Sequence, residues 1–213
     1  MKHKRKSSIA FCLLALAGLA LMNTGCSVLQ PKADLTQFYV LRARTSVAQK
    51  QASANTAGEE IRIGPGRIPG YLDVTPIAVQ DGPNRVRYLD LDHWAEPLSK
   101  GLAQTLGQYL CQALNLKQVT LYPDPVTEPS YCEVRYSVSR FEGTLDDQIA
   151  LDVSWQLVQQ PSAKVLFSTR SVYAVPAKGP QRDPAGYVQR LSDAVGHWAD
   201  DIAAAIRARA ETR

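Results

Sequence analysis

Of the three histidines in this 213-residue chain, His3 lies in a basic N-terminal run, while His93 and His197 each stand directly before a tryptophan and far from one another. Two lone histidines make a poor metal site, because zinc takes three or four His, Cys or carboxylate ligands at short characteristic spacings and no such spacing occurs. Nucleophilic catalysis fares no better. There is no Gly-x-Ser-x-Gly elbow, and a Ser-His-Asp site assembled from distant residues would have only His93 or His197 as its base. Gly64-Pro65-Gly66 has the glycines of a phosphate loop, but its proline removes an N–H and no Lys-Ser/Thr follows, so it offers no cradle. The adjacent carboxylates Asp146 and Asp147 fit a solvated turn better than an acid-base pair. No catalytic residue and no metal ligand is assigned.

The cysteines carry more. Lys2, Lys4, Arg5 and Lys6 precede an apolar run of 14 residues, Ile9 to Met22, which contains Cys12. A helix needs roughly 20 residues to cross ~30 Å of hydrocarbon, so this run has the length of a signal-peptide core. Asn23-Thr24-Gly25-Cys26 follows. It resembles the bacterial lipobox, in which a peptidase cuts before a cysteine whose thiol has received diacylglycerol. Gly25 and Cys26 match, Thr24 is compatible, and Asn23 replaces the usual apolar residue. The alternative is an ordinary secretory signal with an incidental cysteine. The expected organisation is a signal peptide over 1–25, a lipidated tether over 26–34 and one domain over 35–213. A single acyl chain binds a membrane only marginally, whereas diacylglycerol plus an N-acyl chain on Cys26 anchors stably; no other cofactor is expected. Ser27 follows the cysteine where an Asp would signal inner-membrane retention. By resemblance to sorted Gram-negative lipoproteins, the anchor belongs in the outer membrane, facing the periplasm.

Cys111 and Cys132 are then an even pair in an oxidising compartment. As a disulfide across 21 residues they would stabilise the fold by roughly 3 kcal/mol on the chain-entropy model; the alternative is two buried thiols. Charge narrows the partners. Removing residues 1–25, with four basic and no acidic side chains, leaves 20 Lys and Arg against 20 Asp and Glu. A neutral body without a Lys/Arg block is unsuited to a phosphate backbone, so nucleic acid is excluded. Hydrophobic content of 45% with 21% charged residues fits a globular chain rather than disorder or a coiled coil.

The elements that would position these residues follow from periodicity. Leu35–Leu41 reads as a first strand and 44–60 as a long loop. Ile61 and Ile63 alternate with Arg62 before a break at Gly64-Pro65-Gly66, and short strands are expected near 75–80 and 85–89. A helix follows, with Asp92 as N-cap, Pro97 in its first turn, and Trp94, Leu98, Leu102, Leu106, Leu110 and Leu114 along one stripe. Three strands with period-two alternation come next, over Val134–Val138, Ile149–Leu157 and Lys164–Val175, and form an antiparallel meander. A closing helix over 184–209 puts Tyr187, Leu191, Val195, Trp198, Ile202 and Ile206 on one face. The fold class is α/β of the α+β kind: a single domain with a mixed, largely antiparallel sheet and two long amphipathic helices packed on one face. The other sheet face is left polar or lies against a partner chain.

Ile68-Pro69-Gly70-Tyr71-Leu72-Asp73 and His93-Trp94-Ala95-Glu96-Pro97-Leu98, together with the lipobox and Phe38-Tyr39-Val40-Leu41, resemble the ABC-type transport auxiliary lipoproteins, the PqiC-like family that accompanies MCE-type lipid transport systems. Val74 and Gln80 stand where that family often has arginine. The resemblance implies a non-enzymatic accessory at the outer membrane. It would serve an MCE-domain protein and ABC permease components that move phospholipids between membranes, and it would form a homo-oligomer. Tyr71, Leu72, Ile77 and Trp94, in or near the irregular part of the chain, are candidate partner contacts; for Trp94 a place in the core is the stronger alternative. A periplasmic envelope hydrolase and a peptidoglycan-associated structural lipoprotein are the rival readings.

Overall fold

The computed structural model describes residues 33–44, 60–177 and 183–211; Cys26, the signal segment, most of the tether and most of the expected 44–60 loop lie outside the described residues. The chain divides into two units, Met1–Leu35 and Thr36–Arg213, and the second is α+β as expected. Its elements run β1 (Gln37–Tyr39), β2 (Glu60–Arg67), β3 (Pro76–Gln80), β4 (Val86–Trp94), α1 (Leu98–Leu114), β5 (Thr120–Leu121), β6 (Tyr131–Gly143), β7 (Gln148–Gln160), β8 (Lys164–Pro176) and α2 (Pro184–Glu211).

Where one sheet was expected there are two. Five strands in the order β5-β2-β6-β7-β8 form the main sheet, and β1-β4-β3 form a small one. The meander β6–β7–β8 is antiparallel, with β2 and β5 added in parallel beside β6. Alternate residues of the meander, among them Val134, Val138, Ile149, Leu151, Val153, Trp155 and Leu157, are almost wholly buried. Both helices pack on that side and on one another. The leucine stripe of α1 is buried throughout. It is widened by Gly107, where a Cβ would stand 2.9 Å from Val119 and 3.3 Å from Ile63, so α1 approaches the sheet as closely as its backbone allows. On α2, Tyr187, Leu191, Val195, Trp198, Ile202 and Ile206 form the buried face as the periodicity requires.

Three local expectations are corrected. The first strand is only Gln37–Tyr39. Gly64-Pro65-Gly66 does not end β2, which continues through it with a shifted register. Asp92 does not cap α1. It lies in β4, which runs on to Trp94, pairs in parallel with β1 and carries His93 on a strand instead of a helix. The physical reason is Pro97: proline drives the preceding residue out of the helical region, so the helix starts at Leu98 with Pro97 at the cap position and no side-chain bond of its own. Asp73 supplies the missing acceptor, taking the Ser99 N–H at 3.0 Å. At the other helix, Asp183 accepts from the N–H groups of Ala185 and Gly186 at 3.1 and 2.9 Å.

Candidate functional site

The two motifs that distinguish the sequence meet at one junction. Leu72 is buried at 2% exposure and its N–H closes a turn on the Pro69 carbonyl at 3.0 Å. Its neighbour Tyr71 lies over β6, where its hydroxyl donates to Glu142 Oε2 at 3.0 Å, while the Tyr88 hydroxyl donates to the Tyr71 carbonyl at 3.2 Å. Glu142 also accepts from Arg140 Nε at 3.0 Å, and Arg140 reaches Gln80 Oε1 at 2.5 Å. One chain of polar contacts thus ties the small sheet to the main one. Partial burial and the Glu142 carboxylate push the Tyr71 phenol up to about 12. In the second motif Trp94 is 6% exposed and donates its backbone N–H to Thr75, Ala95 donates to Tyr39, Glu96 pairs with Lys100, and Leu98 opens the buried stripe. These residues hold the fold together. Of the four candidate partner contacts, Leu72, Ile77 and Trp94 are core residues with no surface to offer, because each closes the seam between irregular backbone and helix or sheet; Tyr71 alone is exposed, at 38%.

Besides the small sheet, where Phe38, Tyr88 and Leu91 are exposed, the side of the main sheet away from the helices is open. Here the meander shows charged and hydroxyl side chains. Glu133 is fully buried beneath them and holds together Arg62, Arg135 and Gln160. Burial alone would raise its carboxyl, but the bonds from Arg62, Gln160 and Arg135 outweigh it and hold the pKa below the ordinary carboxylate range. Arg62 is further fixed over the Tyr131 ring, 4.8 Å from its centroid, with Tyr122 at 5.7 Å. Glu60, at the start of β2, takes the Thr120 hydroxyl at 2.5 Å, the Thr127 N–H and hydroxyl at 2.9 and 3.0 Å, and the Glu128 N–H at 3.0 Å. Those donors bring its pKa down to about 2. Farther across, Arg170 grips Asp152 bidentately at 2.8 and 2.5 Å. A depression of about 350 Å³ lies between β2 and β8, lined by Arg67, Arg135, Ser137, Ser154, Gln156 and Ser168 among others.

The other candidate groups are not brought together. His93 stands on β4 edge-on to Phe38, with ring centroids 6.0 Å apart; His197 is on the exposed side of α2. No group of three or more His, Cys, Asp and Glu side chains is placed to hold a metal among the described residues. Cys111, on α1, and Cys132, on β6, are thiols and not a cystine, which corrects the expected bridge. Burial raises the Cys111 thiol pKa. Asp146 and Asp147 lie in the β6–β7 turn, where the Asp147 N–H donates to Thr144 Oγ1 at 3.1 Å. Sequence reasoning missed the cluster around Glu133. Its only sequence signal is the alternation of Glu133 and Arg135 with apolar residues, which marks a polar face but not a buried carboxylate.

A family model for the ABC-type transport auxiliary lipoprotein component matches residues 39–203. No curated protein matches by sequence. Among solved structures, an uncharacterised protein is similar at a TM-score of 0.64 and 16% identity, over 79% of this chain and 97% of that one. Protein XCC0632 from Xanthomonas campestris is similar at 0.61 and 14%, over 83% and 99%. At such identities the likeness is one of fold.

Proposed function

The chain belongs to the ABC-type transport auxiliary lipoprotein family, and from that membership we propose that it acts by docking and not by catalysis. Held in the outer membrane by acyl chains on Cys26, it serves an MCE-domain protein and ABC permease components that move phospholipid between membranes, and several copies associate to do so. The extent of the family match, residues 39–203, carries this reading. The build of the domain supports it. Both helices are spent on one side of the main sheet, which leaves the other side, with most of its charges already fixed in pairs, as a surface that a partner can meet at little ordering cost.

Affinity isolation of the tagged full chain in mild detergent tests the docking role. An MCE-domain protein and permease subunits should be recovered with it, and recovery of neither would overturn the assignment. Incorporation of a fatty-acid analogue should disappear in Cys26→Ser; incorporation that persists would remove the proposed anchor. Sedimentation of the purified chain should give a mass several times that of one copy, and a monomer at all concentrations would remove self-association from the proposal.

A further inference from the structure

Arg67 reaches the open face of the main sheet through an irregularity in β2. Ile61 and Ile63 are buried on the helix side, and side chains alternate along a strand, so in an unbroken ladder Arg67 would lie on that side too. The register with β6 slips instead by one residue: Ile63 pairs with Val134, but Arg67 pairs with Ser137 and not with the buried Val138. A one-residue slip moves a side chain to the opposite face. Gly64-Pro65-Gly66 absorbs the extra residue. Gly64 has φ +94°, and a Cβ on Gly66 would lie 2.0 Å from the Tyr136 ring, so both positions need glycine. Three residues that read in sequence as the end of a strand in fact turn one guanidinium outward.

What Arg67 joins is a row across four strands, Arg67–Ser137–Ser154–Arg170, beside a second row, Arg135–Gln156–Ser168. Serine is short where an exposed strand face favours threonine or valine, and the depression of about 350 Å³ opens over the two central serines. Its lining includes two guanidiniums and no carboxylate. The other arginines of this face have acceptors: Arg62 and Arg135 on Glu133, Arg140 on Glu142, Arg170 on Asp152. Among the described residues Arg67 has none, Ser137 and Ser154 make no side-chain hydrogen bond, and Arg135 commits only its Nε.

We infer that this trough binds a phosphate group. A tetrahedral anion with several acceptor oxygens takes the planar fork of Arg67 bidentately, the terminal N–H groups of Arg135 from one side, and the two serine hydroxyls from the floor. The depression is too open to solvent to enclose an acyl chain. The inference rests on the transport reading only in its choice of source, the headgroup of a phospholipid; free phosphate offers the same oxygens.

Calorimetric titration of the purified full chain with inorganic phosphate and with glycerophosphoethanolamine, the water-soluble diester of a phospholipid headgroup, tests the site. Saturable binding is expected, weakened tenfold or more by Arg67→Gln and unchanged by Arg87→Gln, which removes an exposed charge on β4. Tighter binding of the diester supports the headgroup as source, and tighter binding of the inorganic ion supports free phosphate. Ser137→Val with Ser154→Val fills the floor with strand-favouring residues at constant charge; binding should be lost with no fall in Tm. Absence of saturable binding by either probe, or equal weakening by Arg67→Gln and Arg87→Gln, overturns the site. The measurement uses the isolated chain, so it fails or succeeds independently of whether transport components co-purify.

Discussion

The two sides of the main sheet come from the same strands, residue by alternate residue, and yet obey different rules. On the helix side, Ile149, Leu151, Val153, Trp155 and Leu157 succeed one another along β7 at 0 to 2% exposure, and stability there comes from apolar area removed from water. On the other side the same strand shows Asp152, Ser154 and Gln156, and stability comes from whether each charge has its partner. The contrast separates what builds the molecule from what is free to meet another one. A family of recognisable sequence motifs falls almost wholly on the building side: Leu72, Trp94 and Leu98 are core, and Asp73 is a helix cap in space.

That contrast can be broken or sharpened by substitution. Leu151→Ala, in the centre of the packed side, should cost about 2–5 kcal/mol of stability as transfer and cavity effects add, read from denaturant unfolding. A loss below about 1 kcal/mol would mean that the helix side is not the core. Glu133→Ala should be the one severe change on the open side. It strands the Arg62 guanidinium, 17% exposed, while Arg135, 41% exposed, can turn to water. The cost should therefore lie near the low end for a broken buried pair, about 3 kcal/mol, and the simultaneous Arg62→Ala change should recover part of the loss in a double-mutant cycle. Glu60→Gln should be moderate and pH-dependent. A carboxylate held at about 2 instead of its ordinary 4.5 adds stability that is complete above about pH 4.5 and lost as the pH falls through about 2. The gap in stability between wild type and variant should therefore be constant near neutrality and close across that acid window; a gap independent of pH would refute the role of its donors. Smallest is Arg170→Ala. This exposed pair with Asp152 should change stability least of the four, and its small contribution should fade with added salt.

Legibility in the sequence differed along the same line. The meander and the closing helix could be read residue by residue, because each buries one face over many turns or alternations, and burial of a continuous face leaves a period in the sequence. The small sheet could not be read as separate. Its pairing of Gln37–Tyr39 with Asp92–Trp94 joins segments far apart in the chain, and periodicity states which way a side chain points but not which strand lies beside it. The start of α1 was misplaced because Asp92 is a good capping residue by type, while the controlling residue was Pro97 and the acceptor came from Asp73. Exposure of Tyr71, Leu72 and Ile77 was likewise undecidable from turn-rich surroundings, since irregular backbone is compatible with buried side chains once its polar groups are bonded; for Trp94 the leucine stripe already favoured the core, where it lies.

Composition, charge balance and the spacing of apolar residues by themselves determined the class of fold, the neutrality of its body and the two helix faces that close the core, because these follow from local chemistry summed along the chain. Only tertiary structure decided that Cys111 and Cys132 stay as thiols, that Glu133 lies buried between two arginines, and that Gly64-Pro65-Gly66 turns Arg67 to the open side. Each depends on the register between strands, and register is settled by side chains meeting across space and not by their order in sequence.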